Sequence, residues 1–305
     1  MMTGGTGWDG PILDNHFHLN RNGRYLDAAK DFKNAGGTDI VLVHCPDFSS
    51  PPTTKQGHSE AYADTVAMAE QVRRNVGLGV RVVLGPHPAA FAHQFIAWLD
   101  SDGEQGAQLA MENYRNSIDA AVEYIDEGKA HALGEVGRPH WPVSARVWEL
   151  SNTLLSETMH LAHQEGIVLQ LHVEGELEST YRDLSQMASK AGLPARRLVR
   201  HYSPPNVDLA ITQGVTPSVL IGKGAIEELM GTVEKCGHGF MLETDYMDDP
   251  RRPGAVLGPK TVPKRTKQLL DAGLDEEYLW LAHQDLAEEL YGPSVYSTES
   301  AHSDT

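Results

Sequence analysis

The chain has 305 residues, of which 40% are hydrophobic, and its 42 acidic residues outnumber 25 basic ones, giving a formal charge of −17. This apolar content is sufficient for one large core, and an acidic surface repels polyanions at long range, which argues against an extended nucleic-acid-binding face. The two cysteines, Cys45 and Cys236, are too few and too far apart for a disulfide scaffold or a cysteine-based zinc site.

Eight short apolar runs of strand character alternate with segments of helical periodicity along the whole chain. This alternation predicts parallel strands joined by helical crossovers, and eight units in about 250 residues is the count of a (β/α)8 TIM barrel, an α/β fold. A doubly wound sheet is the alternative, but the glycine-rich nucleotide loop that it needs is missing. The predicted strands are Pro11–Leu19, Asp39–Cys45, Val80–His87, Ala132–Val136, Val168–Val173, Leu198–His201, Pro217–Ile221 and Phe240–Tyr246. The clearest predicted helices are Ser59–Asn75, Glu104–Glu127, Ala145–Glu165, Leu177–Ala191, Ala225–Lys235 and Val262–Ala272.

No internal linker or low-complexity block interrupts this pattern, so we predict a single domain over residues 1–292. The last residues, 293–305, are rich in Ser, Thr and Asp, and we predict that they form a disordered C-terminal tail. The start of the sequence lacks a signal-peptide pattern, and no stretch approaches about 18 consecutive apolar residues. We therefore expect a cytoplasmic, soluble protein without a membrane span.

Side chains of metal-ligand type end nearly every predicted strand, and in a TIM barrel such strand ends form the active site. Strand eight closes against strand one, which brings Asp245 close to His16 and His18. Strand five adjoins strand six, which brings His172 close to His201. Glu135 on strand four is able to reach both groups. The pattern predicts two half-sites that share this carboxylate, with ions about 3.5–4 Å apart. Zinc and manganese suit mixed His and carboxylate ligands, and magnesium is a third option. The strand-end residues are His16, His18, His44, His87, Glu135, His172, His201 and Asp245.

Several motifs in this set closely resemble those of the TatD-type metal-dependent hydrolases of the amidohydrolase superfamily. The resemblance covers nearly the whole chain and implies a divalent-metal hydrolase, which in several members is a deoxyribonuclease or exonuclease. The motifs are Asp14-x-His16-x-His18, Gly85-x-His87-Pro88, Gly134-Glu135-Val136-Gly137, strands ending in His172 and His201, and Glu243-Thr244-Asp245.

The resemblance also implies a role for each residue. The four ligands of one metal would be His16, His18, Glu135 and Asp245, and those of the other would be Glu135, His172 and His201. His87 would contact the phosphate of the substrate. Two cations lower the pKa of a bridging water to about 7 and so make hydroxide available. We expect Asp245 and Glu135 to be the catalytic residues, with Asp245 as the general base.

The sequence departs from the family pattern in the loops that face the substrate. Arg138-Pro139 stands where the family has Leu-Asp, and His201-Tyr202-Ser203 replaces His-Cys-Phe-Ser-Gly. Arg138 has two open interpretations, a clamp for a phosphate or carboxylate and a surface arginine paired with acidic neighbours. Lys260 is a candidate for a second anion contact. These departures leave the metal ligands intact but weaken the deoxyribonuclease assignment.

We therefore predict cleavage of a phosphoester, with a small phosphoester or a nucleic-acid end as the substrate. The alternative is hydrolysis of a cyclic amide, lactone or ester by the same metal centre. Many such enzymes bridge their metals with a modified lysine, and this argues mildly against the alternative for the present sequence. A non-catalytic barrel is a third possibility, which the complete set of six ligands disfavours.

Overall fold

Eight parallel strands form one sheet in the order in which they occur in the sequence. The protein is described here by a computed structural model that covers residues 7–296. The strands are β1 Leu13–Phe17, β2 Asp39–Val43, β3 Gly79–Leu84, β4 Ala132–Gly137, β5 Leu169–His172, β6 Leu198–Ser203, β7 Thr216–Leu220 and β8 Met241–Glu243. Each lies where the sequence pattern predicted a strand, and the predicted TIM barrel is confirmed.

Helices connect the strands, as a parallel sheet requires. The helices Leu26–Asn34 and Leu209–Thr212 were not among the clearest predicted ones. The helix Pro88–Asp126 begins earlier than its predicted segment and bends at Gly103, whose φ is +61°. The helices are α1 Leu26–Asn34, α2 Lys55–Val76, α3 Pro88–Asp126, α4 Ala145–Glu165, α5 Glu178–Ala191, α6 Leu209–Thr212, α7 Ala225–Thr232, α8 Thr261–Asp271, α9 Glu276–Trp280 and α10 Leu286–Tyr291. Among the described helices, none is long and apolar enough to cross a membrane.

The barrel closes between β1 and β8. Phe17 and Tyr246 form a parallel bridge, and the backbone N–H of His18 donates to the carbonyl of Tyr246 at 2.9 Å. The expected contact between the first and last strands is therefore present, and it brings their polar ends together.

Apolar side chains fill both the interior of the barrel and the layer between the strands and the helices. Inside the barrel, Leu13, Val83 and Met241 pack against Leu290 and Tyr291 of α10. This helix lies toward the amino ends of β1 and β8, because Leu13 and Met241 are the first residues of these strands. The carboxyl ends are left for the polar residues, as in other TIM barrels.

The first part of the predicted disordered tail contacts the barrel. The hydroxyl group of Ser294 donates to Asp39, and the carbonyl of Val295 accepts from the backbone N–H of Val80 at 3.0 Å and from Arg73 Nε at 3.1 Å. Residues 294 and 295 of the predicted tail therefore lie against β2, α2 and β3. Residues 297–305 lie outside the described part of the chain, and for them the prediction stands untested.

Candidate metal centre

One buried carboxylate, that of Glu135 on β4, lies at the centre of the polar strand ends. Its Oε1 is 2.7 Å from His16 Nε2 and 3.4 Å from His18 Nε2. Its Oε2 is 3.2 Å from Nδ1 of His172, on β5. Asp245 completes the first side, with Oδ1 at 3.8 Å from His16 Nε2 and 3.6 Å from His18 Nε2. The structure therefore brings together residues from both ends of the chain around Glu135.

The predicted ligands lie in two groups that overlap. His201 Nε2 lies 2.9 Å from His172 Nδ1 and 3.9 Å from Glu135 Oε1, as expected for the second half-site. Its ring also stacks on His16, with 4.1 Å between centroids. Three overlapping groups of ligand atoms lie within 4.8 Å of one another, namely His16, His201 and Asp245; His16, His18 and Glu135; and His87, Glu135 and His172.

The protonation pattern of these rings fits a bound cation. His18 Nδ1 lies 3.0 Å from the carbonyl of Val43, which can only accept, so this nitrogen carries the proton. His18 Nε2 then presents a lone pair to His16 Nε2, 3.0 Å away. Two histidine nitrogens that each bind one zinc ion at about 2.0–2.1 Å would have a nitrogen–nitrogen separation similar to that between His16 and His18. The four histidines and two carboxylates therefore could hold divalent metal.

Burial and neighbouring groups set the charge of His16, His201 and Glu135 in the direction that metal binding requires. Burial lowers the pKa of His16 to about 4 and that of His201 well below its usual value, so both imidazoles are neutral at pH 7. Burial alone would raise the pKa of Glu135, but its interactions with His87, His201 and His16 hold it well below the ordinary value. Burial raises the pKa of Asp245 to about 7, which places this carboxyl near the pH at which a general base works best.

Two carboxylates outside the predicted ligand set position the ligands. Glu243, at the end of β8, lies 3.3 Å from His201 Nδ1 and accepts the backbone N–H of Tyr202 at 2.6 Å. Asp14 accepts from the backbone N–H of His16 at 3.3 Å. Such partners fix the tautomer and orientation of metal ligands. Both residues belong to the motifs quoted above, but their roles depend on contacts across the barrel.

His87 is oriented by the first turn of α3. The backbone N–H of Ala89 donates to His87 Nδ1 at 3.0 Å, so the proton of the neutral ring is on Nε2. Nε2 lies 2.8 Å from Glu135 Oε2. A ring that presents N–H to the centre of the site can donate to an anionic substrate oxygen, whereas it has no lone pair there for a metal.

Arg138 and Lys260 do not have the surroundings expected for substrate contacts. The side chain of Arg138 is 2% exposed, and its guanidinium group donates to Glu174 at 2.5 and 2.8 Å and to Asp183 at 2.5 Å. Its donors are thus directed at two acidic neighbours. Lys260 is 64% exposed and lies 3.2 Å from Asp31. These ion pairs favour the interpretation of Arg138 as an arginine paired with acidic neighbours, and substrate binding by Arg138 and Lys260 stays an untested expectation.

One further histidine, His140, reaches the site from the loop after β4. Its Nδ1 lies 2.6 Å from His172 Nε2. Sequence reasoning missed it because it follows the end of the strand, where alternation no longer tells the direction of a side chain. The only available signal was a histidine close to Glu135 in the stretch Arg138-Pro139-His140.

A cleft lies beside His18, and two exposed aromatic residues, here called the rim residues, lie next to histidines of the site. A cleft of about 540 Å³ adjoins His18 and includes Phe48 and Arg251 in its walls. Phe48 is 50% exposed and meets the ring of His87 edge-on, with 5.6 Å between centroids. Tyr202, 52% exposed and with a φ of +53°, lies 6.0 Å from His201. Clefts of this size accept small molecules.

Comparison with known proteins gives consistent matches over nearly the whole chain. The family model described as TatD related DNase matches residues 13–292. An uncharacterized protein of Methanocaldococcus jannaschii, MJ1127, is 33% identical over 285 residues, covering 92% of this chain and 95% of that protein.

Two solved structures have a similar fold at low sequence identity. One is YJJV, a TatD homologue of Escherichia coli K12, with a TM-score of 0.60 and 19% identity, over 92% of this chain and 98% of the other. The second is a phosphotriesterase homology protein of Escherichia coli, with a TM-score of 0.58 and 13% identity, over 92% and 98%. The extent of the family match, together with a barrel mouth that carries the ligand motifs, shows that this chain belongs to the TatD family of hydrolases.

Proposed function

We propose that the protein is a two-metal hydrolase that cleaves phosphoester bonds in small phosphodiesters or at nucleic-acid ends. The observation that supports this most strongly is the position of Glu135 between two groups of ligands, with Oε1 beside His16 and Oε2 beside His172. When bound, two divalent cations supply an activated water and stabilise developing negative charge. The ligand chemistry suits zinc, manganese or magnesium.

In this proposal three side chains act on the substrate or on protons. Asp245, which lies beside His16 and His18, accepts the proton of the attacking water and later returns it to the leaving group. The Nε2–H of His87 donates to a non-bridging oxygen of the phosphoryl group. Glu135 stays ionised and keeps the two half-sites at a fixed separation.

The rim favours substrates that carry a planar ring next to the phosphoester. The rings of Phe48, His87, His172, His201 and Tyr202 follow one another, with centroid separations of 5.6, 4.5, 5.0 and 6.0 Å. The three histidines belong to the site, so the exposed aromatic rings at the two ends lie where groups flanking a bound phosphoryl would extend. Stacking on an aromatic side chain contributes about 1–3 kcal/mol per base and tolerates any sequence.

A substrate panel on the metal-reconstituted protein tests this function. The panel contains a short single-stranded oligonucleotide, a closed circular duplex, a chromogenic phosphodiester, a phosphomonoester, an ester and a lactone. We expect turnover of the oligonucleotide and the phosphodiester, with little nicking of the circle, because the chain has a charge of −17 and a long duplex is repelled. Turnover of the ester or lactone alone would contradict the proposal and favour the alternative chemistry. The phosphotriesterase homology protein of E. coli has a similar fold and was crystallised with phosphate in its active site. This supports our proposal that the site binds the phosphoryl group of a substrate.

Variants of the two rim residues test the ring preference separately. Tyr202→Ala and Phe48→Ala should raise KM for a nucleoside phosphodiester about tenfold and leave KM for a methyl phosphodiester unchanged, since a stacked ring contributes about 1–3 kcal/mol. Tyr202→Phe keeps the ring and should behave like the wild type. Leu109→Ala, an exposed apolar side chain on α3, is the control. Equal effects on both substrates would show that the rim residues do not read the ring.

A further inference from the structure

Each histidine ligand has one nitrogen facing the centre of the site and one facing away. The outward nitrogen of His18 donates to the carbonyl of Val43 at 3.0 Å, and that of His201 lies 3.3 Å from the buried carboxylate of Glu243. These are the partners that metal-bound histidines normally have. The Nδ1 of His16 has no hydrogen-bond partner among the described residues.

His172 differs from the others in the partner of its outward nitrogen. Its Nδ1 faces the site, 3.2 Å from Glu135 Oε2 and 2.9 Å from His201 Nε2. Its Nε2 faces His140 Nδ1 at 2.6 Å. If His172 binds metal through Nδ1, its proton must be on Nε2, and His140 Nδ1 is the acceptor.

The ring of His140 is held in place by a short aromatic stack. It meets Trp141 edge-on at 5.2 Å between centroids, and Trp141 in turn stacks on His93 at 5.6 Å with an interplanar angle of 17°. His140 itself is exposed to solvent. The acceptor for His172 is therefore pre-oriented, but it is a neutral group in contact with water.

We propose that His140 is a positioning residue that fixes the tautomer of His172 and thereby sets the affinity of the half-site formed by His172 and His201. Without His140 the Nε2–H of His172 loses its acceptor, so loss of His140 should weaken the half-site of His172 and His201 and leave the half-site of His16, His18 and Asp245 unchanged. The inference rests on the two-metal centre proposed above.

The test is a titration of the metal-free protein with Co²⁺ and Zn²⁺, followed by calorimetry and by the visible absorption of bound Co²⁺. The wild type should bind two ions. His140→Ala should weaken one of the two sites about 10–100-fold, the usual effect of losing such a partner, and leave the other site unchanged. His140→Asn places an amide oxygen near the position of Nδ1 and should restore most of the affinity.

The control is His160→Ala, which removes an exposed histidine of α4 whose ring contacts only the carbonyl of Ser156. It should match the wild type. Wild-type affinity at both sites in His140→Ala, or no recovery in His140→Asn, would overturn the role of His140 alone. A wild-type protein that binds a single ion would overturn the two-metal centre as well, so the two failures are distinguishable without measuring activity.

Discussion

The buried carboxylate of Asp14 accepts two hydrogen bonds from Thr244, one from its backbone N–H at 2.9 Å and one from its hydroxyl group at 2.6 Å. Asp14 lies on β1 two residues before His16, and Thr244 follows β8 and directly precedes Asp245. The pair therefore connects the first and last strands where each delivers a candidate metal ligand. Asp245 has a φ of +47°, a conformation that aspartate tolerates better than most residues.

We predict that Asp14→Ala destabilises the protein by about 2–6 kcal/mol, because it leaves the two buried donors of Thr244 unpaired at about 1–3 kcal/mol each and also removes the longer bond from the backbone N–H of His16. Asp14→Asn retains one acceptor and should lose less. Urea denaturation of the metal-free protein measures both. An alanine variant that unfolds at the wild-type urea concentration would show that Thr244 finds other partners.

Replacing Glu135, the carboxylate shared by the two half-sites, should weaken metal binding at both. Replacing His172 should weaken metal binding at one half-site. We expect Glu135→Ala to hold almost no divalent metal and His172→Ala to hold about one ion per chain, compared with about two in the wild type. Elemental analysis after metal loading and gel filtration gives the ratio. Equal metal content in the two variants would contradict the central position of Glu135.

The Asp245→Asn variant separates proton transfer from folding. Asparagine is nearly isosteric, so the fold should be kept, but it cannot accept a proton and is a weaker ligand. We predict that kcat falls by more than the factor of about 10²–10⁴ that is typical for loss of a general base. Circular dichroism and metal content are measured beside the rate. Near-normal kcat with metal retained would assign the base to another residue.

Arg138 should contribute to stability and not to substrate binding. Its buried guanidinium contacts Glu174, which is 18% exposed, and Asp183, which is 50% exposed. Breaking a fully buried pair costs about 3–5 kcal/mol, and the exposure of the partners reduces this, so we expect about 2–3 kcal/mol for Arg138→Ala with KM unchanged. Arg146→Ala removes an exposed pair with Glu104 and should cost far less stability than Arg138→Ala. A raised KM for phosphoesters at full stability would restore the substrate-clamp interpretation.

The burial of His283 should make the stability of the folded protein fall at acidic pH. This residue is buried between Leu13 and Thr266, far along the chain from the ligands, and burial lowers its pKa to about 4. Between about pH 6.5 and 4 the unfolded chain binds a proton at this residue and the folded chain does not, so stability falls as the pH falls through this window. The slope from one group is at most about 1.4 kcal/mol per pH unit. The stability difference between wild type and His283→Gln should therefore shrink or reverse below pH 6.5, and a constant difference would contradict the prediction.

The amino-acid sequence alone predicted the barrel and the candidate ligand residues that lie together at its mouth. Buried parallel strands are continuous apolar runs, and their polar ends are adjacent in the sequence, so local pattern locates both. Because parallel strands place their carboxyl ends at one edge, His16, Glu135 and Asp245 could be brought together without knowledge of any distance.

Only the tertiary structure decided what the loop residues and the second carboxylates contact. Arg138 lies three residues beyond Glu135 yet points to Glu174 and Asp183, and His140, two residues further, returns to His172. Beyond a strand end no period fixes the direction of a side chain, so its partner depends on segments 30 or more residues away, which are set by the packing of the whole barrel. The bond between Asp14 and Thr244 spans 230 residues for the same reason.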